Sequence, residues 1–265
     1  MMQMKRWIPF VKSDPHVAVI RLQGTIAAGG RGLSDRGLAD SIEKAFRSKP
    51  KAIALEISSP GGSPVQSSLI AARIRRLADE KDIPVFAFVE DVAASGGYWL
   101  ATAADEIFVD QSSVVGSIGV ISSGFGLTGT LEKVGAERRV YTAGKSKSML
   151  DPFQAEKPAD VKRLKALLDD IHVVFKDQVT ARRAGKLADG DLFTGEIWVG
   201  QSAINVGLAD QIGHLVPVMK DRFGDKVTLR RFGQKKPLLS RFGVQLVDDA
   251  VTAIEERAAY ARFGL

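Results

Sequence analysis

The stretch PVFAFVEDVAASGGYW, residues 84–99, carries the strongest indication of the fold class. Its first six residues form a continuous apolar run, which is typical of a parallel strand covered on both faces. A short helix of small residues is predicted to begin at Ser95. The stretch therefore predicts a buried strand that turns directly into a helix, with Ser95 in the turn.

Two further strands are predicted upstream of this stretch. Residues 16–22 (HVAVIRL) alternate apolar and polar side chains, and residues 51–57 (KAIALEI) run into the turn SSPGG. Amphipathic helices are predicted near residues 34–47 and from Pro64 onward. Because each crossover is long enough to join parallel strands, this order predicts an α/β fold with a layered, parallel sheet.

The rest of the chain predicts mixed elements and three segments. The predicted elements are strands at 106–109, 137–141 and 227–232, and helices at 127–134, 158–183 and 196–205. The predicted segments are an N-terminal extension (1–15), a core domain (16–222) and a C-terminal extension (223–265). The C-terminal extension ends in an amphipathic stripe that we expect to pack on a neighbouring subunit, namely Leu246, Ala250, Ile254 and Ala261.

The composition excludes several kinds of site. The chain has 265 residues, of which 45% are hydrophobic, so it can bury a sizeable core. It has no cysteine, which excludes disulfides, cysteine-bound metals and a cysteine nucleophile. No HExxH or comparable ligand pair is present, so neither a metal nor another cofactor is expected.

Charge and hydropathy bear on partners and location. The formal net charge of +6 is mildly basic, and no nucleic-acid partner is expected. We find neither an apolar run of about 20 residues nor a secretion signal, which favours a cytoplasmic location. Trp7 and Ile8 lie beside Lys5 and Arg6, an arrangement that would also allow peripheral contact with a membrane.

Histidine is the usual base of a hydrolytic site, because its neutral form is available near pH 7. The three histidines, His16, His172 and His214, lie at a strand start, inside the longest helix and in a turn. None is next to a small, exposed serine in the sequence. We therefore interpret all three as structural or surface residues.

Ser95 is the first candidate for chemistry. It follows a buried strand, and the flanking alanines and glycines leave room for a substrate backbone. Neighbouring backbone N–H groups could stabilise a developing negative charge. A serine at the start of a helix is also a common helix cap, and on position alone the cap is the favoured interpretation.

Two other segments are candidates when taken alone. SPGGS, residues 59–63, follows a buried strand, and its glycines could offer N–H donors, although an ordinary β–α turn has the same appearance. Lys147 lies close to Met149, Leu150 and Phe153, which could form an apolar wall. A lysine acts as a general base only when it is neutral, and a basic surface loop is the favoured interpretation of this segment alone.

Together these segments resemble a known family. VAASGGYW, SPGGS, VGSIGV, KSMLDPF and TGEIWVGQSAINVGLADQIG match, in the same order, motifs of the signal peptide peptidase A family of serine peptidases, family S49. Members of this family have the ClpP/crotonase-like fold. The likeness runs from about His16 to Gly213, which is most of the chain.

The resemblance implies a serine endopeptidase with a Ser-Lys dyad and no cofactor. It implies a nucleophile, a general base, a lysine-positioning serine and three oxyanion or substrate-backbone glycines, which are Ser95, Lys147, Ser117, Gly61, Gly62 and Gly96. The substrate would be a signal-peptide remnant or another unfolded, hydrophobic peptide, and the chain would assemble as a homo-oligomeric ring. Two positions depart from the family pattern, because Ser58 replaces the usual asparagine and Glu196 stands where a basic residue is common.

Three rival interpretations share much of this pattern. A crotonase-like acyl-CoA enzyme would have a similar core and oxyanion geometry, but it would use paired carboxylates and would not need Lys147. A non-catalytic peptide-binding scaffold would not need Ser95, Lys147 and Ser117 together. A ClpP-like enzyme would need a Ser-His-Asp triad, and no histidine lies near Ser95 or Lys147 in the sequence.

Overall fold

A computed structural model describes residues 15–29, 32–144, 146–233 and 257–265. The chain divides into two units, a larger one formed by Met1–Ile118 with Gln178–Leu265 and a smaller one formed by Gly119–Asp177. Nearly all of the predicted N-terminal extension lies outside the described residues, as do three of the four residues of the C-terminal stripe.

The larger unit is built on an eight-stranded sheet whose order is β6-β5-β3-β2-β1-β8, with β4 beside β3 and β7 beside β4. All strand pairs are parallel except β5 with β6. The predicted α/β class with a parallel sheet is therefore confirmed. The strands are β1 (His16–Gln23), β2 (Ala52–Ser59), β3 (Val85–Ala94), β4 (Glu106–Val109), β5 (Val114–Gly116), β6 (Ile197–Val199), β7 (Gln211–Ile212) and β8 (Thr228–Phe232).

The helices begin where the sequence supplies suitable caps. Ser34 accepts a hydrogen bond from the Gly37 amide at the start of α1. Ser63 accepts one from the Gln66 amide at the start of α2, where Pro64 occupies the first turn. The helices are α1 (Asp35–Arg47), α2 (Pro64–Lys81), α3 (Gly96–Ala101), α4 (Thr130–Lys133), α5 (Pro158–Arg182), α6 (Gln201–Asn205) and α7 (Leu215–Phe223).

The strand β3 pairs with β2 along one edge and with two shorter strands along the other. Its first half, Phe86–Val89, pairs with β4, and its last three residues, Val92–Ala94, pair with β5. Phe86 and Phe88 pack on one face of the sheet in a core cluster with Leu215 and Met219 of α7. The strand is therefore held on both edges, and apart from the exposed Glu90 and Asp91 it is buried up to Ala94, the residue before Ser95.

A buried ion pair joins the end of α5 to the segment that precedes β7, and a tyrosine of α3 bonds to the same segment. Arg183 is 2% exposed and donates to both carboxylate oxygens of Asp210, at 2.8 and 3.2 Å, and to the carbonyl of Gly207. The Tyr98 hydroxyl in α3 donates to the Leu208 carbonyl at 2.8 Å. Burial raises the pKa of Asp210, but hydrogen bonds from Arg183 and other donors outweigh it and lower the pKa overall.

The structure corrects two predicted elements. Residues 137–141 are not a strand; they are exposed and lie in coil, where Glu137 pairs locally with Arg139. Residues 196–205 are not one helix, because Gly200 has φ 45° and separates β6 from α6. In addition, β8 lies beyond the predicted boundary at residue 222 and pairs with β1 in the main sheet.

Candidate active site

Ser95 stands between β3 and α3 in an uncommon backbone conformation. Its φ is 52° and its ψ is −121°, and its side chain makes no hydrogen bond that caps the helix. Its amide donates to the Gly116 carbonyl at 2.8 Å, and its own carbonyl accepts from the Trp99 amide at 3.0 Å. Ser95 therefore occupies the N-cap position of α3 but lacks the side-chain bond that a capping serine makes.

The conformation of Ser95 has a cost that the surroundings must offset. A positive φ at a residue with a side chain costs about 1–3 kcal/mol and persists only where neighbouring contacts fix it. The paired strands β3 and β5 supply such contacts, since Ala94 pairs with Gly116 and the Ser95 amide continues the ladder. The side chain of Ser95 is half-exposed between fully buried neighbours, so its hydroxyl can reach solvent or a ligand.

The loop that contains Gly61 and Gly62 lies against Ser95. A methyl group on Gly61 would lie 2.9 Å from the Ser95 Cβ atom and 2.8 Å from the amide nitrogen of Gly96. Both loop glycines have positive φ, 102° and 143°, a region that other residues rarely adopt. The sequence SPGG is thus required by the close approach of this loop to the turn at Ser95.

Two amides at this junction are available to a ligand. A methyl group on Gly96 would lie 3.3 Å from the Gly62 amide nitrogen, so the two backbone segments are adjacent. Within the described part of the chain, neither the Gly62 amide nor the Gly96 amide has a hydrogen-bond acceptor. Gly62 is exposed. Such a pair of N–H groups beside a serine can stabilise a negatively charged oxygen.

Residues that the sequence analysis missed hold the glycine loop in place. The amide of Ile26 donates to the Gly61 carbonyl at 2.9 Å, and the Ile26 carbonyl accepts from Ser63 at 2.8 Å. The Ser59 hydroxyl donates to the Gly24 carbonyl at 2.7 Å and accepts from the Gly61 amide at 3.3 Å. No local pattern in residues 24–33 indicates this role, because it depends on pairing with a distant loop.

Ser117 lies next to the residue that binds the Ser95 amide. It also has a positive φ, 51°, and its own amide donates to the Glu196 carbonyl at 2.6 Å. The ring of Trp198 packs so closely on Gly116 that a methyl group there would lie 2.6 Å from it. The segment TGEIW therefore fixes the backbone at Ser117 from the side opposite β3.

Lys147 belongs to the smaller unit. Its side chain is exposed, and its amide donates to the Gly144 carbonyl at 3.2 Å. The same loop is anchored by Asp151, whose side chain is 4% exposed and pairs with Arg138 at 2.9 Å. Arg138 in turn lies 4.8 Å above the ring of Phe153. Asp151 and Phe153 of the motif KSMLDPF thus both contact Arg138, and these contacts stabilise the loop.

The larger unit brings together five of the six predicted site residues, Ser95, Gly61, Gly62, Gly96 and Ser117. Lys147 lies in the other unit, and its approach to Ser95 stays a prediction. The apolar wall predicted around Lys147 consists of Met149, Leu150 and Phe153, which are half-buried.

His16 and His214 have partners of their own away from Ser95. His16 binds the Ser48 hydroxyl at 2.9 Å, and burial together with Arg230 lowers its pKa. His214 pairs with Asp110 at 2.9 Å on the surface. Among the described residues, no group of three or more metal-ligating side chains could hold a metal ion. Nor do those residues include a helix of the length and apolar character that a membrane span requires.

Comparison of the sequence with known proteins shows which family this chain is similar to. A sequence model of peptidase family S49 matches residues 78–222, more than half of the chain. The chain belongs to peptidase family S49. A second model, for the N-terminal domain of NfeD1b, matches residues 16–134, which include Ser95 and the glycine loop but not Lys147.

Several curated proteins share sequence with this S49 chain. A protein of Brucella melitensis biotype 1 named Na(+)/H(+) antiporter NhaA is 47% identical over 99% of this chain, which covers 39% of that protein. A putative signal peptide peptidase of Enterococcus faecium is 35% identical over 62% of this chain and 48% of its own length. A putative protease of Synechocystis is 31% identical, and the chains cover 85% and 82% of each other. This S49 chain therefore spans less than half of the first two relatives.

A solved structure supports the fold of this S49 chain. A membrane-bound stomatin-specific protease in complex with a substrate peptide superposes with a TM-score of 0.51 at 14% identity. The match covers 91% of this chain and 100% of that one. With the mostly parallel sheet, this likeness confirms the predicted ClpP-like α/β fold.

Proposed function

We propose that this chain is a serine endopeptidase in which Ser95 is the nucleophile and Lys147 the general base. The observation that carries the proposal is the junction of Ser95 with the Gly61–Gly62 loop. There a half-exposed serine without a capping bond lies beside two amides, those of Gly62 and Gly96, that have no acceptor within the described residues. Membership of family S49 supports the assignment.

The proposed reaction begins when neutral Lys147 Nζ accepts the hydroxyl proton and Ser95 Oγ bonds to the carbonyl carbon of a peptide. The carbonyl oxygen becomes negatively charged and accepts hydrogen bonds from the Gly62 and Gly96 amides. Collapse of this intermediate breaks the C–N bond, and the leaving amine takes the proton from Lys147. Water then attacks the acyl-enzyme, gives a proton to Lys147, and Ser95 recovers its own. Ser117 orients the amine of Lys147.

The surface beside the glycine loop favours apolar peptides. Val65 and Leu69 lie four residues apart on the first turns of α2, directly after the loop, and are 63% and 46% exposed. Side chains four apart share one face of a helix, so they form an apolar ridge next to Gly62. We propose that this ridge contacts hydrophobic residues of signal-peptide remnants or other unfolded peptides.

A fluorophosphonate probe tests this function directly. We expect the probe to label the wild-type chain at Ser95, as mapped by mass spectrometry of proteolytic fragments, and to leave Ser95→Ala unlabelled. Labelling should weaken as the pH is lowered, because a protonated amine cannot accept the serine proton. Absence of labelling, or labelling at another serine, would contradict the proposal and would favour an acyl-CoA enzyme or a non-catalytic scaffold.

Gly61→Ala should impair catalysis without preventing folding. The new methyl group would meet Ser95 Cβ at 2.9 Å and the Ala94 carbonyl at 2.8 Å, and it would strain a backbone with φ 102°. Because the loop must shift to relieve this contact, we expect peptide hydrolysis to fall about 10²–10³-fold, as when one oxyanion donor is lost. Gly29→Ala is the matched control, since nothing lies within 4 Å of a methyl group there. Equal activity of both variants would show that the loop has no part in catalysis.

The Brucella relative that is named an antiporter shares with this chain only part of its own length. The matched region is 39% of that protein, and the site described above lies within it. Peptide hydrolysis requires only this site, whereas ion transport has no support from the described residues.

A further inference from the structure

Residues 257–265 pack against the sheet that carries the proposed site. Tyr260 and Phe263 are half-buried and contact a small apolar cluster that is separate from the main core. The cluster consists of Val92, Ala94 and Val114. Ala94 is the last residue of β3 and immediately precedes Ser95. Residues 257–265 therefore cover the end of β3 that leads to the proposed nucleophile.

Tyr260 also makes a hydrogen bond to β2, the strand that leads into the Gly61–Gly62 loop. Its hydroxyl donates to the Ser58 carbonyl at 2.7 Å. The same carbonyl accepts from the Gly24 amide at 2.9 Å. Ser58 lies near the end of β2, three residues before Gly61, and is 2% exposed. One residue near the end of the chain therefore touches both strands that lead into the site.

We propose that Tyr260 is a positioning residue for the Gly61–Gly62 loop, and that residues 257–265 hold this loop in register with Ser95. The inference rests on the function proposed above. Tyr260 acts on the loop through its hydrogen bond to the Ser58 carbonyl.

The physical reason is the precision that an oxyanion site requires. Donors must stay within about 0.5 Å of their productive positions, and a displacement of about 1 Å can cost 10²-fold in rate. The loop begins directly after β2, so the direction of the Ser58 peptide unit sets where Gly61 and Gly62 lie. Two hydrogen bonds to the Ser58 carbonyl restrict that direction more than one does.

Tyr260→Phe isolates the hydroxyl, because the ring that packs on Val92 and Ala94 is retained. We expect the rate constant for fluorophosphonate labelling of Ser95 to fall about 3- to 10-fold, the change that corresponds to one lost neutral hydrogen bond. The kcat for an apolar peptide should fall by a similar factor with KM unchanged. Tyr141→Phe is the control, since Tyr141 is 89% exposed and belongs to the smaller unit.

Hydrogen exchange gives a second readout that does not depend on activity. In Tyr260→Phe, the amides of Ser59, Gly61 and Ser63 should exchange several-fold faster than in the wild type, while β1 and the first half of β3 stay protected. Unchanged exchange at these three amides, or a lowered melting temperature with faster exchange across the whole sheet, would overturn the proposal. If wild-type Ser95 is not labelled at all, the proposed function fails, and faster exchange confined to these amides would still support the loop contact.

Discussion

Lys147→Met is expected to lower peptide hydrolysis and fluorophosphonate labelling of Ser95 by about 10²–10⁴-fold, the usual contribution of a general base. Methionine has a similar length and keeps the apolar part of the side chain, but it cannot accept a proton. The side chain of Lys147 is exposed, and the loop around it is held by Asp151 and Arg138 rather than by Lys147. The melting temperature should therefore stay close to that of the wild type.

The control for Lys147→Met is Lys157→Met, which removes another exposed lysine of the smaller unit. We expect this control to keep full activity and the wild-type dependence of labelling on pH. In Lys147→Met, the residual labelling should lose the decline at low pH that protonation of the base causes. Near-wild-type rates in Lys147→Met would exclude the Ser-Lys dyad.

Arg183→Met is expected to cause the largest loss of stability, about 3–5 kcal/mol in the free energy of unfolding. Arg183 is almost fully buried, and its loss would leave the carboxylate of Asp210 without its bidentate partner and the Gly207 carbonyl without a donor. Urea unfolding should show a lower midpoint with an unchanged slope, which marks a change in stability alone.

Arg76→Met provides the matched control for Arg183→Met. Arg76 pairs with Glu80 on the surface of α2 at 2.8 Å, with both side chains about half exposed, and such a pair contributes less than about 1 kcal/mol. A loss of stability in Arg183→Met no larger than in Arg76→Met would contradict the structural role assigned to the buried pair.

The α/β fold was predictable because its signals are local. The apolar run at 84–89 and the helix start at Pro64 are each contained in a few residues, and the structure has β3 and α2 there. The helix predicted at 196–205 was wrong because the positive φ of Gly200 depends on its fit against the Gln111 backbone, a contact 89 residues away in sequence (200 − 111 = 89). Residues 137–141 have the composition of a strand but have no partner strand in the described part of the chain.

Only part of the candidate site could be predicted from the sequence, because contacts between distant segments leave no local signal. Ser95, Gly61 and Ser117 stand in motifs that resemble those of family S49, and the resemblance, not the local pattern alone, predicts their roles. Ile26 and Tyr260 carry no such signal, since each acts through a contact with a distant backbone segment. The smaller unit, Gly119–Asp177, was also not foreseen, because its polar, glycine-rich start looks like an ordinary loop.

The bond between the Ser117 amide and the Glu196 carbonyl has an evolutionary consequence. Both partners are main-chain atoms, and the Glu196 side chain is exposed. Mutation can therefore reverse the charge at position 196 while the main-chain bond that holds Ser117 is kept. The surface charge at this position can therefore vary in evolution independently of the backbone conformation at Ser117.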